Sequence, residues 1–236
     1  MMVIHVWRTL VTFAAISPAT MATRLSNFAR KGSTIFGVAL NYSDLAATSG
    51  VTPPTTPMVF IKPWTAYLTK GGTIKVPTGC KKFFHEVELG VVVGKQGFKI
   101  PESRAMEHVG GYALSLDMSA MDIIGEARDK GHPWCIGKGF DSSCPVGDFI
   151  HKDQIPDPHN VGLWLKVNNE LKQNGNTKNM ISDIPTIISY ISEYFTLNEG
   201  DLLLTGSPAG VGPVSPDDVI NCGLADISEM TFHIEA

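Results

Sequence analysis

The stretch that most constrains this chain is Phe83 to Gly94, FFHEVELGVVVG, where Glu86 and Glu88 stand at the mouth of an otherwise apolar run. Side chains in a strand repeat every two residues, so both carboxylates point to one side of the sheet. Two like charges held side by side repel, and Leu89 to Val93 leave little water to screen them. A cation between them resolves the conflict. Mg²⁺ suits the place, since it takes carboxylate oxygens at about 2.0–2.1 Å and keeps its other positions for water and substrate oxygens. The competing reading is a solvent-facing stripe on an edge strand, which needs no ligand.

The rest of the chain narrows the setting. Its 236 residues can build a full core, and a net charge of −4 with no basic block argues against a nucleic-acid partner. No uncharged apolar run approaches the roughly 18 residues of a bilayer span, so no membrane contact is expected. Cys80, Cys135, Cys144 and Cys222 form no Cys-x-x-Cys pair and read as reduced intracellular thiols. Residues 1 to 43 lack Asp and Glu but carry Arg8, Arg24, Arg30 and Lys31 among Ser, Thr and Ala, the composition of a mitochondrial presequence. Residues 1–32 are therefore read as a targeting or extension segment and 33–236 as one catalytic domain. A secretory signal over Leu10 to Ala22, and a true start at Met21 in a cytoplasmic protein, are the competing readings.

From Ser33 the chain reads as short strands divided by Gly and Pro. Strands are predicted at Thr34–Ala39, Met58–Lys62, Thr73–Pro77, the Glu-x-Glu run and Tyr112–Leu116, with a stiff connector at Thr52–Pro57 and a polar segment at Asn41–Thr48. Strand Tyr112–Leu116 ends on Asp117, and a helix over Met118–Lys130 would place that aspartate at its N-cap. Lys138 follows between Gly137 and Gly139, either approaching a ligand closely or simply solvated. Val161–Val167 and Leu171–Gln173 form a hairpin through Asn168-Asn169-Glu170. Ile184, Ile187, Ile188, Ile191 and Phe195 share one helical face after Asp183 and Pro185. Asp201–Thr205 is a buried strand that runs into Gly206-Ser207-Pro208-Ala209-Gly210-Val211-Gly212, a loop able to bind an oxyanion or merely to turn tightly. Met230–Ile234 closes the chain as a strand. These elements predict a mostly-β fold with some α.

Glu86, Glu88 and Asp117 together would form an all-oxygen site for Mg²⁺ or Mn²⁺, because no histidine or cysteine set is placed for zinc. His85 turns to the opposite face of the strand and is read as structural. An open divalent ion beside a lysine and an anion-binding loop suits a 2-keto acid, whose enolate it stabilises.

These residues resemble the fumarylacetoacetate hydrolase family. The resemblance rests, in order, on His85-Glu86-Val87-Glu88-Leu89-Gly90, Leu116-Asp117-Met118, Trp134-Cys135-Ile136-Gly137-Lys138 and Thr205-Gly206-Ser207-Pro208-Ala209-Gly210-Val211-Gly212, and covers Ser33 to the C-terminus. It implies a rolled β-sheet fold, a homodimer, Mg²⁺ on Glu86, Glu88 and Asp117, Lys138 at the keto acid or its enolate, and Ser207 with Gly206 at the substrate carboxylate. Lys62 occupies another recurrent family position near the substrate.

The resemblance breaks at the polar segment. Where family members read Arg-Asn-Tyr-x-x-His-x-x-Glu, this chain has Leu40, Asn41, Tyr42, Leu45 and Thr48, and two further polar positions are Met121 and Ile124. A leucine cannot move a proton, and losing a general base costs typically about 10²- to 10⁴-fold. The expected function is therefore tautomerisation or decarboxylation of oxaloacetate or a related 2-keto acid. Acylpyruvate hydrolysis and a catalytically impaired paralogue are the alternatives.

Overall fold

Short apolar runs separated by Gly, Pro and Asn leave strand pairing as the way to satisfy the backbone, and the most apolar runs lie innermost. The computed structural model describes residues 25–236. Its largest sheet runs in the order Met58–Pro63 (β2), Thr34–Ala39 (β1), Leu202–Leu204 (β13), Val87–Val93 (β6), Val109–Leu116 (β7), Cys144–Val146 (β9) and Tyr67–Thr69 (β3), with Ile150–His151 (β10) also on β7. A second sheet orders Glu170–Asn176 (β12), Gly162–Val167 (β11), Val219–Leu224 (β15), Ser228–Glu235 (β16) and Ile74–Lys75 (β4). A third, of Gly212–Pro213 (β14), Phe83–His85 (β5) and Ser119–Ala120 (β8), lies where β5 gives way to β6. The molecule is the mostly-β fold with some α that its strand rhythm predicts, built as curled sheets.

Every residue of β6 is buried, and its neighbours meet it in register, Leu203 opposite Val91 and Leu114 opposite Leu89. The second sheet instead alternates, β11 and β16 burying every other side chain. Its β11–β12 hairpin turns at Asn168 (φ 50°) and Asn169 (φ 67°), the left-handed pair that a tight two-residue turn requires and that asparagine tolerates. Against the core packs the helix Ile184–Ser192, begun by Asp183 accepting from the Thr186 N–H at 2.9 Å and by Pro185 in its first turn. Ile184, Ile187, Ile188 and Ile191 are buried, each contributing about 1.5–3 kcal/mol. Phe195 lies beyond the helix, 41% exposed, with its ring 5.3 Å from that of Phe36.

Two expectations are corrected. Asp117 caps no helix: the helix spans Met121–Asp129 with Ala120 at its N-cap, and Ser119–Ala120 is strand β8 instead. The segment stays extended because the Asp117 N–H donates to Glu86 O and the Met118 N–H to Ser143 O, both at 2.9 Å. The strand predicted over Thr73–Pro77 shrinks to Ile74–Lys75, because β16 pairs with it over Ile234 and Glu235 alone. The polar segment after Asn41 folds as the helix Ser43–Ser49, stopped by Gly50 at φ 65°.

The presequence reading falls mostly on residues 1–24, outside the described residues. Leu25 and Phe28 are buried in a cluster with Ile35, Ala66 and Leu202, so the packed body begins ahead of the boundary expected at residue 33. Asp201 ties this end down: its carboxylate accepts from Ser33 Oγ (2.8 Å), Thr34 N (3.0 Å) and Asn198 N (2.8 Å), which sets β1 beside β13. The strand β13 in turn delivers the Gly206 loop to β6.

Candidate active site

Strand alternation sends Glu86, at the junction of β5 and β6, and Glu88, in β6, to one side. The adjacent end of β7 presents Asp117. One oxygen from each of the three carboxylates lies within 4.8 Å of the others. A strand otherwise made of Val, Leu and Gly thus carries a carboxylate, Glu88, whose residue is 1% exposed. The Gly206 N–H donates to Glu88 Oε2 at 2.7 Å, which needs a tight turn: Gly206 has φ 92°, and a Cβ there would lie 2.8 Å from Asn41 Cβ.

Two ammonium groups meet the triad from behind and beside. Lys62, wholly buried on β2, pairs with Asp117 Oδ1 at 2.7 Å and donates to the carbonyls of Ser143 (2.8 Å) and Lys138. With no exposed surface it holds Asp117 in place in this structure. Lys138 ends the short helix Cys135–Lys138 and donates to Asp117 Oδ2, to Ser119 Oγ at 2.6 Å and to Glu86 Oε1 at 3.3 Å. Its neighbour Gly137 serves packing: a Cβ there would fall 2.4 Å from Ile124 Cγ1, so the glycine admits the short helix against Met121–Asp129.

Electrostatics follow from burial. Desolvation opposes the charge on Lys138, but Asp117 and Glu86 outweigh it and hold its pKa above the usual lysine value. Burial raises Glu86, an effect that Lys138 opposes and Asp117 reinforces. Glu88 is raised well above the usual carboxylate range, first by burial and then by the charges of Asp117 and Glu86. The donors are oxygens only, and a hard divalent cation among them would relieve the burial and mutual repulsion that raise Glu88.

The glycine loop is anchored rather than open. Ser207 Oγ donates to Val87 O at 2.9 Å and accepts from Gln173 Nε2 at 2.7 Å, so Ser207, like Gly206, fixes the start of β6 in this structure. Gln173 is a site residue that sequence reasoning missed, since a lone glutamine in a hairpin strand carries no motif. Its Oε1 accepts from Val87 N (3.0 Å) and pairs with His85 Nδ1 (2.9 Å), and its Nε2 also reaches Pro208 O (2.9 Å). Because that oxygen accepts, Nδ1 of His85 carries the proton, and burial lowers the ring's pKa, so His85 is a neutral strut behind the site as its alternation predicts. Ser119, also missed, donates to Glu86 Oε1 at 2.8 Å and links it to Lys138.

A cavity of about 240 Å³ opens onto Glu86 and Lys138. Leu40, Leu45, Met121 and Ile124, four of the departures from the family pattern, all line it, with Phe84 and Val211. Leu40 is held at φ 55°, strained for a branched side chain. Thr48, the fifth departure, is exposed on the helix surface and donates its hydroxyl to the Asp44 and Leu45 carbonyls.

Known proteins share this arrangement of chain. The family described as Fumarylacetoacetate (FAA) hydrolase C-terminal matches residues 34–235. The chain is 49% identical to the mitochondrial oxaloacetate tautomerase of Mus musculus over 211 residues, which cover 89% of this chain and 96% of that protein. It is 45% identical to the mitochondrial oxaloacetate decarboxylase of Dictyostelium discoideum over 212 residues, 89% of this chain and 97% of that protein. The crystal structure of fumarylpyruvate hydrolase from Pseudomonas aeruginosa, in complex with Mn²⁺ and pyruvate, matches with a TM-score of 0.81 at 33% identity, covering 86% of this chain and 89% of that one.

Proposed function

Since the chain belongs to the fumarylacetoacetate hydrolase family, we propose that it is a mitochondrial enzyme that interconverts the keto and enol forms of oxaloacetate, with decarboxylation of the same acid as its second reaction. Curated relatives that match nearly their whole length carry those two activities in their names. Within the chain, the carrying observation is a buried carboxylate triad whose Glu86 lines, beside Lys138, a cavity with no histidine among the described residues of its walls.

A divalent cation held by Glu86, Glu88 and Asp117 supplies Lewis acidity toward adjacent keto and carboxylate oxygens, and the all-oxygen donor set favours Mg²⁺, with Mn²⁺ as the alternative. Lys138 Nζ holds a proton beside Ser119 Oγ, which is bonded onward to Glu86 Oε1, so a line of protons borders the cavity. Tautomerisation moves one proton between carbon and oxygen and consumes no water. Leu40, Leu45, Met121 and Ile124 carry no group that could take a proton from an attacking water, which disfavours hydrolysis of acylpyruvates. An impaired paralogue is disfavoured too, because Lys62, Lys138 and Gly206 still organise the triad. Gly206 and Ser207 act by fixing Glu88 and the start of β6.

The test adds Mg²⁺-loaded protein to freshly dissolved oxaloacetate and follows enol absorbance and pyruvate release together. At least one rate is expected to exceed the Mg²⁺-only control and to fall to it in Glu88→Gln. Equal rates with and without protein would refute the assignment.

A homodimer belongs to the same reading. Ile61 (39% exposed), Trp64 (60%) and Ile136 (73%) leave apolar surface around a depression that Ile61, Pro63, Ile136 and Phe140 line. Sedimentation equilibrium is expected to return twice the 25.5 kDa chain mass, and a monomer at micromolar concentration would remove this part of the reading.

A further inference from the structure

The apolar walls raise a problem of charge. A dicarboxylate 2-keto acid would reach Glu86, Lys138 and the triad with one carboxylate and its keto oxygen, leaving a second carboxylate in the cavity. A carboxylate taken from water without a partner is strongly disfavoured. Among the described residues lining this cavity, the cations are Lys138 and Arg128, and Lys138 is already engaged with Asp117, Ser119 and Glu86.

Arg128 lies on the helix Met121–Asp129, two turns beyond Met121 and so on the same face. Its guanidinium carbon stands 5.2 Å from the ring centroid of Trp134, which also lines the cavity. Stacking of this kind holds the guanidinium plane while leaving its edge of N–H donors free for a planar carboxylate. No hydrogen bond from Arg128 to a carboxylate of this chain occurs among the described residues.

We propose that Arg128, oriented by Trp134, receives the distal carboxylate of the substrate and so selects dicarboxylate 2-keto acids over monocarboxylate ones. The inference rests on the oxaloacetate reading above and deepens it. Met121 and Ile124 are apolar, which leaves this exposed arginine as the cation of the cavity that the triad does not engage.

The test compares wild type, Arg128→Gln and Arg128→Lys on oxaloacetate and on its 4-ethyl ester, which keeps the keto-carboxylate end and loses the distal charge. For Arg128→Gln, kcat/KM on oxaloacetate is expected to fall on the order of 10- to 100-fold, mainly through KM, with the ester changed less than about threefold and Arg128→Lys partly restored. A readout independent of turnover is calorimetry of the Mg²⁺-loaded protein with malate and with lactate, which share a chelating hydroxy-carboxylate and differ in the distal carboxylate. Arg128→Gln is expected to lower malate affinity toward that of lactate and leave lactate unchanged. Equal losses on both members of each pair, or none, would overturn the proposal while wild-type turnover upheld the oxaloacetate reading. A wild type that neither turns over oxaloacetate nor binds malate would overturn both.

Discussion

Introducing Leu45→His and Thr48→Glu together is expected to raise acylpyruvate hydrolysis by about 10²- to 10⁴-fold over the parent chain, the range a positioned general base contributes. The positions are set up for it. Leu45 lines the cavity with Glu86 and Lys138, so an imidazole there would stand over the site and could take a proton from an attacking water. Residue 48 lies three positions on along the helix Ser43–Ser49, on a neighbouring part of its surface, where a carboxylate can hold the imidazole in its useful tautomer. Replacing Thr48 also frees the Asp44 and Leu45 carbonyls from its back-bonding hydroxyl, at little cost on an exposed helix. Each single variant should yield far less than the pair, because an unoriented imidazole is a poor base and a carboxylate alone faces solvent. The check is the rate of acetopyruvate cleavage by coupled pyruvate detection. A double variant that folds, binds Mg²⁺ and still leaves the substrate intact would show that the apolar wall, not the missing base, prevents hydrolysis.

Asp117→Asn should lower folding stability by about 3–5 kcal/mol and abolish binding of the divalent cation. The stability loss comes from Lys62, an ammonium with no exposed surface whose anionic partner is Asp117 at 2.7 Å. Removing one member of a buried pair strands the other, which is the costly event; removing both is much milder. The double variant Asp117→Asn with Lys62→Met should therefore recover a good part of the loss in urea unfolding, although cation binding stays absent. A single-variant loss below about 1 kcal/mol would show that the Ser143 and Lys138 carbonyls alone satisfy Lys62. Calorimetric titration with Mg²⁺ reports the other half, where retained affinity would mean that Glu86 and Glu88 hold the ion without Asp117.

Much of the fold was legible because it is locally periodic. The strands at Thr34–Ala39 and β6, the Asn168–Asn169 hairpin and the capped isoleucine helix all rest on side-chain alternation, turn chemistry or capping within a few residues. Failures came where a distant segment overrode the local signal. Asp117 looks like an N-cap, but Glu86 O and Ser143 O hold its neighbourhood extended, and two lysines take the carboxylate. The polar segment near Leu45 shows no helical face of its own, yet buried Ala46 and the Tyr42 bridge to Met180 fold it over the site.

By itself the sequence determined which residues could carry the chemistry: carboxylates two apart on a strand share a side, an aspartate ends the next strand, and a lysine sits between glycines. Those facts need only backbone geometry and like-charge repulsion. Tertiary structure alone decided their tasks. Lys62 became the buried support of Asp117, Ser207 and Gln173 the anchors of the glycine loop, and Leu40, Leu45, Met121, Ile124 and Arg128 the lining of one cavity. The reason is physical: the partner of a buried charge is whichever group the packed core brings within hydrogen-bond distance, and that pairing joins β2 to β7 and β12 to the Gly206 loop, across separations that no local pattern records.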